Sequence, residues 1–530
     1  MTTIHTLGEL RQSGYRLRSV KDEMRENLLA RISRREPTFP GVHGYERTVI
    51  PALHNAILSK HDIILLGLRG QAKTRMLRSL TALLDEHVPV IEGCEINDSP
   101  FEPICKRCRR LAAERGEELP IAWLSRAERY REKLATPDVT VADLIGDIDP
   151  IKAANQRLTY SDEEVIHYGI VPRTNRGIFA INELPDLAPR IQVALLNILE
   201  ERDLQIRGFP VRIPLDVVLV FSANPEDYTN RGNIITPLKD RIDSQILTHY
   251  PASIETAMQI TAQEAWMDRG AAGAAIEIPS YVRELIERIA FVARESDLVD
   301  QSSGVSARLT IAALELLQSN LERRGALTGD APVFPRLSDF AMLLPAVTGK
   351  VEMVYEGEQQ GAEVVARKLI GDALAKLFAA RFPTAERPGR AQQEARERRG
   401  YGEISEDDLD DAFSGRNKKK KRGQQQEEPA APPVSEPNYD AILGWFGDDN
   451  QITVSDEQPF AEYFAELNRV PKLAETAAKY VSPKHDAELA FWMEMLLEGL
   501  HQSLRLARHD LDSTITFQEL MKFNVLRTVK

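Results

Sequence analysis

Residues 67–74, GLRGQAKT, set glycines, a lysine and a hydroxyl residue at the spacing of a loop that wraps phosphate. In G-x-x-x-x-G-K-[ST], backbone N–H groups surround the phosphates, the lysine reaches the outer ones and the hydroxyl meets magnesium. Gly67, Lys73 and Thr74 keep that spacing, with Gly70, Gln71 and Arg75 in and beside the loop. Ala72, however, stands where a glycine usually precedes the lysine. An alanine is accommodated there if the backbone keeps a negative φ, and that is the expectation. A helix starting at the lysine would add favourable partial charge at its N-terminus. The ligand implied is ATP with Mg2+.

Hydrolysis asks for an acidic strand end facing this loop. GIFAINE, residues 177–183, ends in Asn182 and Glu183. Glu183 suits a general base or an orienter of the attacking water. Asn182 offers a carbonyl oxygen to a magnesium-bound water where an aspartate would normally stand. Because it lacks the charge, weaker metal binding and slower turnover are expected. The run DVVLVFSANP brings Asn224 to the end of another strand, where it could orient water or touch the γ-phosphate. Arg241, among acidic residues, reads either as a surface ion pair or as an arginine finger reaching a neighbouring subunit's site. Arg308, in GVSARLT, sits near a helix start from which it could reach back to the γ-phosphate.

The three cysteines, Cys94, Cys105 and Cys108, fall within fifteen residues. An odd, local group in a long chain is no disulfide framework. The C-x-x-C pair suits tetrahedral zinc, with Cys94 third and His87 as a fourth ligand. Reduced thiols in an inserted loop are the alternative. Lys106, Arg107, Arg109 and Arg110 would lower the thiol pKa values. Iron–sulfur ligation lacks a fourth cysteine.

The elements that must position these groups are legible as runs and periods. DIILLG, GIFAINE and DVVLVFSANP are buried strands by their continuous apolar character. AKTRMLRSLTALL, APRIQVALLNILEE and PLKDRIDSQIL read as helices. Strand, glycine-containing turn and helix in this order give an α/β domain with a parallel sheet. Residues 253–345 are helical in pattern, followed by the helix GAEVVARKLIGDALAKLFAARF. The expected domains are an N-terminal helical segment at 1–34, the α/β nucleotide-binding domain at 35–250, a helical lid with the following helix at 251–382, a charged flexible linker at 383–437, and a small, mostly helical docking domain at 438–530. In the last, Trp445, Phe491 and Trp492 read as core or docking face.

With 530 residues, 43% hydrophobic and 28% charged, the chain is expected to fold as several globular domains. A net charge of −13 argues against a broad nucleic-acid-binding surface, although residues 416–422 form a local basic run. No helix-turn-helix is evident, so nucleic acid is not an expected partner. No apolar run is long enough for a membrane span, and the N-terminus has no secretory h-region, so a cytoplasmic location is expected.

Taken in order, FPGVHGYE, GLRGQAKTR, NRGIFAINELPDLAPRIQVALLNILEE, VFSANPEDYTNRGNIITPLKDRID and GVSARLT resemble an AAA+ ATPase of the magnesium-chelatase ATPase-subunit and MoxR group. The resemblance covers about residues 35–345. It implies an AAA+ P-loop domain with a helical lid, working as a ring, usually a hexamer. It places Val42 and His43 beside the adenine, Glu183 as the acidic-strand glutamate, and Asn224 as first sensor. Arg241 becomes the arginine finger and Arg308 the second sensor. It further implies a hairpin insert within EERDLQIRGFPVRIPLD and a second insert within residues 144–177. It implies too a partner with a von Willebrand factor A domain, which would be a separate polypeptide, since this chain has no D-x-S-x-S. The implied activity is an ATP-driven remodeller of a partner protein. A nucleotide-gated scaffold with little turnover and a chelatase motor are the alternatives.

Overall fold

In the computed structural model, the described residues are 4–156, 162–206, 212–224, 233–270, 275–383, 439–511 and 514–520. Residues 384–437 of the expected linker, with its basic run, and the turn at Gly208 and Pro210 lie outside them. Two compact units divide the chain. One comprises the described residues within 1–270, 280–316 and 344–366, the other those within 271–279, 317–343 and 367–530.

The first unit is built on five parallel strands: β1 (Ile63–Leu66), β2 (Tyr130–Leu134), β3 (Gly177–Asn182), β4 (Val217–Ala223) and β5 (Ser244–Leu247). Their spatial order is β5-β1-β4-β3-β2. β1, β3 and β4 are buried along their whole length, as near-continuous apolar runs in a sheet covered on both faces should be. Alternate residues then serve opposite cores. Ile64, Leu66, Phe179, Ile181, Leu219 and Phe221 join one cluster. Ile63, Leu65, Ile178, Ala180, Val218 and Val220 join the other, with side chains of α1 (Val20–Ser33), α2 (Val49–Leu58) and α3 (Lys73–Ser79).

Register decides what emerges at the sheet's edge. Leu66 pairs with Ala223, and Phe221 with Ile181, so β1, β3 and β4 end nearly level. Gly67, Asn224 and Glu183 therefore leave the sheet side by side, at the carboxyl ends of the strands where open α/β sheets bind ligands.

Two strands were not legible as such. YREKL looks like an exposed polar segment, yet it pairs with β3 as the sheet edge, where one side needs no apolar cover. PLKDRIDSQIL, expected to be one helix, is helical only over Thr236–Arg241; Ser244–Leu247 then extends and pairs with β1. Its unpaired edge explains why Leu247 is exposed. The Asp203–Gln205 and Arg212–Pro214 strands pair antiparallel, as a hairpin insert requires. Gly146–Ile148 and Ile166–Tyr168 form another antiparallel pair within the second insert.

The second unit contains α-helices and a three-stranded antiparallel sheet, Ile452–Ser455, Thr514–Gln518 and Ala507–Leu511 in spatial order. This sheet was missed in a segment read for its helical stripes, because alternating TITFQ is too short to outweigh the flanking periodicity. Phe491 and Trp492 are buried in the helix Asp486–Gln502, whereas Trp445 is half-buried. Among the described residues, no helix is long and apolar enough to cross a membrane.

α1 is held to the sheet unit by charge as well as packing. Ser19 caps it by accepting from the Asp22 N–H. Its buried Glu23 receives the Arg129 guanidinium in a bidentate pair of 2.7 and 2.6 Å, immediately before β2. Arg129 Nε also donates to the Arg176 carbonyl, just before β3. Glu23→Gln would leave this guanidinium buried without its counter-charge and should cost about 3–5 kcal/mol, read as a lowered midpoint in denaturant unfolding.

Candidate nucleotide-binding site

A cleft of about 510 Å³ opens at the strand ends in the first unit. Its walls are the loop Arg69–Arg75, the segment Gly41–Tyr45, the ends of β3 and β4, and side chains of the helices Ile254–Glu264 and Arg308–Thr328. Val42, His43, Gly70, Gln71, Ala72, Lys73, Thr74 and Arg75 line it, together with Glu183, Asn224 and Arg308.

The loop is fixed from below. Gly67 approaches Thr248 and Gln71 so closely that a Cβ would lie 1.9 Å from Thr248 Oγ1. Thr248 Oγ1 donates to Gln71 Oε1 at 2.6 Å. The Tyr45 hydroxyl lies 3.0 Å from the Gln71 carbonyl and 2.7 Å from that of His249, and burial pushes its pKa up to about 12. Gly70 has φ +73°, and a Cβ there would come within 2.1 Å of Ser306 Oγ, two residues before Arg308. The loop and the start of the Arg308 helix are thus packed with no spare volume.

Ala72 corrects one expectation. Its φ is +56°, in the left-handed region, rather than negative. The tight turn into α3 imposes this value, which is the reason for a glycine at the position in the usual pattern.

The Lys73 ammonium donates to the carbonyl oxygens of Gly67 and Leu68, and to Asn224 Oδ1 at 2.5 Å. Asn224 Nδ2 donates in turn to Glu183 Oε2 at 3.1 Å. Asn182 is buried at the end of β3, where its Oδ1 accepts from Ser222 Oγ at 3.1 Å and from Thr74 Oγ1 at 3.4 Å. Glu183 itself takes φ +55°, turning the chain sharply out of β3. One polar chain therefore runs from the lysine through the asparagine to the glutamate, with the threonine hydroxyl beside Asn182.

Arg241 does not line the cleft. Its guanidinium pairs with Glu200 at 2.6 Å. Several lining residues were not singled out from the sequence: Tyr45, Arg69, Asp186, His249, Gln263 and Glu264. Arg75 pairs with Glu264, and Gln263 Oε1 lies 2.9 Å from His43 Nε2. Tyr45, Arg69 and Asp186 lie within or beside the quoted motifs, whereas His249, Gln263 and Glu264 reach the cleft through distant packing.

The cysteines lie elsewhere in this unit. Cys94, Cys105 and Cys108 cluster with Asp98, not with His87. His87 is exposed at the start of the Pro89-containing strand His87–Ile91, which corrects the expected fourth ligand. The cluster could hold a metal ion. Hydrogen bonds with Cys105 and Cys108 lower the Cys94 thiol, whereas the thiols of Cys105 and Cys108 are raised rather than lowered as expected, and burial raises Asp98 to about 6.

Residues 121–242 match the profile of the AAA domain of the dynein-related subfamily. That stretch contains Asn182, Glu183, Asn224 and Arg241. The match covers β2, β3 and β4, and so assigns that stretch of the parallel sheet, on one side of the cleft, to an AAA domain. Among solved structures, a putative ATPase from Cytophaga hutchinsonii is similar at 14% identity, over 68% of this chain and 97% of that one, with a TM-score of 0.29. The complex of the BchI and BchD subunits of magnesium chelatase gives 20%, 61%, 98% and 0.31. NtrX from Brucella abortus in complex with ATP gives 14%, 67%, 66% and 0.34. Scores of this size leave the assignment resting on the matched profile and the fold. No curated protein matches the chain.

Two outcomes are expected here. Ala72→Gly should relieve the left-handed alanine and raise stability by up to ~1 kcal/mol in thermal unfolding; a loss would contradict the strain. Beside the cleft, buried Glu287 accepts from Thr261 Oγ1 at 2.5 Å, with Arg294 contributing opposing charge. Burial raises its pKa from 4.5 to about 7. The folded state then holds this proton more tightly than the unfolded one, so its contribution is full below about 4.5 and lost as pH rises through about 7. Glu287→Gln should flatten the pH dependence of the melting temperature in that window, which corresponds to about 3 kcal/mol.

Proposed function

We propose that the chain binds ATP with Mg2+ in this cleft and hydrolyses it as a ring motor that remodels a partner protein. The observation carrying this reading is the convergence on one cleft of Lys73, Thr74, Glu183, Asn224 and Arg308. The donor set fits: a cation and a glycine-containing loop suit phosphates, while a hydroxyl beside a buried carbonyl oxygen suits a hydrated magnesium. Mg2+, when bound, would neutralise charge on the phosphates.

In this reading the backbone of residues 67–73 and the Lys73 ammonium hold the phosphates. Thr74 and Asn182 hold the metal and its water. Glu183 orients the attacking water or takes its proton, and Asn224 fixes the Glu183 carboxylate. Arg308 couples the lid helix to the γ-phosphate, and Val42 and His43 border the base. Arg241 leaves Glu200 to complete the site of a neighbouring copy, which is why the active form is an oligomer, proposed as a hexamer. A separate von Willebrand factor A protein as partner, and a cytoplasmic location, belong to the same proposal.

The second reading, a nucleotide-gated scaffold, is favoured by Asn182 in place of an acid. Steady-state ATP turnover against protein concentration separates the two. For the motor, turnover rises with concentration. Glu183→Gln lowers it ~10²–10⁴-fold while nucleotide still binds. Arg241→Ala lowers it ~10³-fold or more. Asn182→Asp raises it. Tight binding with no turnover at any concentration, with and without captured partner, overturns the motor. Unchanged turnover in Arg241→Ala leaves that residue a surface ion pair.

A further inference from the structure

Outside the nucleotide cleft, one buried group of side chains has the chemistry of a ligand set. The spacing is C-x₃-D-x₆-C-x₂-C: Cys94, Asp98, Cys105 and Cys108. Their sulfur and carboxylate ligand atoms all lie within 4.8 Å of one another. Asp98 and Cys108 are fully buried, Cys105 is 7% exposed, and Cys94 is half-buried. The three cysteines are free thiols.

Asp98 supplies an independent observation. Its Oδ2 accepts from the N–H groups of Ile104 and Cys105, at 3.1 and 2.9 Å. Its Oδ1 is buried with no hydrogen-bond partner. Leaving a carboxylate oxygen dry and unpaired costs several kcal/mol in general, on the order of 1–3 or more. The orphan belongs to the same carboxylate that joins the three sulfurs in this cluster.

Donors also surround the sulfurs. The Asp98 N–H donates to Cys94 Sγ at 3.4 Å, and the Cys108 N–H to Cys105 Sγ at 3.3 Å. The Arg107 guanidinium lies 4.0 Å from Cys108 Sγ. With all three thiols ionised beside the carboxylate, the group would need a cation among them.

We propose that Cys94, Asp98, Cys105 and Cys108 form a structural zinc site. Soft thiolates with one hard oxygen select zinc over magnesium or calcium. A Zn–S bond of ~2.3 Å sets tetrahedral sulfur separations near 3.8 Å, within the span observed. A four-iron cluster would spread its ligands over four metals and hold them further apart. Four protein ligands leave no open position, so the ion cross-links rather than catalyses. On binding, the thiol protons pass to solvent.

What the ion would tie together follows from the neighbours. Cys105 caps the helix Lys106–Arg115, whose first N–H donates to Glu163 Oε1 at 2.7 Å. Between the first two ligands, Ile96 O accepts from Asn175 Nδ2 at 3.0 Å and Asn97 Nδ2 donates to Arg173 O at 2.9 Å. The site thus clamps the insert against the chain entering β3, at the end of that strand opposite Glu183.

The test is metal analysis of the full chain, purified under reducing conditions without chelator. Near one zinc per chain is expected. Cobalt loading should give near-ultraviolet thiolate charge-transfer bands and the intense visible bands of tetrahedral cobalt. Cys108→Ser should lose the ion. The nearly isosteric Asp98→Asn should fold yet bind zinc at least ~10-fold more weakly, since even outer partners of a ligand contribute that much. Chelation should lower the melting temperature of the wild type and not of Cys108→Ser. Substoichiometric metal with no cobalt bands on titration overturns the proposal, as does an iron-containing chromophore. Affinity unchanged in Asp98→Asn overturns the role of the carboxylate. None of these readouts depends on ATP turnover.

Discussion

The level register of β1, β4 and β3 is the constraint on which this molecule depends. Parallel pairing of Leu66 with Ala223 and Phe221 with Ile181 ends three strands at one edge. A shift of one residue would turn every core side chain to the other face and separate Gly67, Asn224 and Glu183. The two apolar clusters therefore do more than stabilise the sheet. By filling alternate positions on opposite faces, they forbid that slip.

The site is built from groups that hold one another. Lys73, Asn224 and Glu183 form a chain of short polar contacts, and Thr74 and Ser222 converge on Asn182. Such a network in a partly buried cleft is costly if left half-satisfied. Here each link satisfies the next. The left-handed backbone at Ala72 and Glu183 marks both ends of the constellation, where packing from outside overrides local preference.

The segments that lead into β2 and β3 contribute cross-links rather than chemistry to this cleft. Arg129 joins α1 to the entry of β2 and β3 through Glu23 and the Arg176 carbonyl. Asn97 and Asn175 join the cysteine-bearing segment to the same entry. Both sets act on the amino ends of strands whose carboxyl ends bear the polar site.

The sequence by itself determined the three inner strands, because burial on both faces demands unbroken apolar runs. It also determined the phosphate-loop spacing, because those contacts are local along the chain. Tyr130–Leu134 and Ser244–Leu247 were decided only by tertiary pairing, since an edge strand needs apolar cover on fewer sides and can look like loop or helix. The sign of φ at Ala72, the pairing of Arg241 with Glu200 and the gathering of His249, Gln263 and Glu264 at the cleft had the same origin. Asp98 is the clearest case. Its spacing from Cys94 was present in the sequence, but only the fold brings its carboxylate, with one oxygen unpaired, among the thiols and leaves His87 exposed. Local spacing fixes which groups can act; packing between distant segments fixes which of them meet.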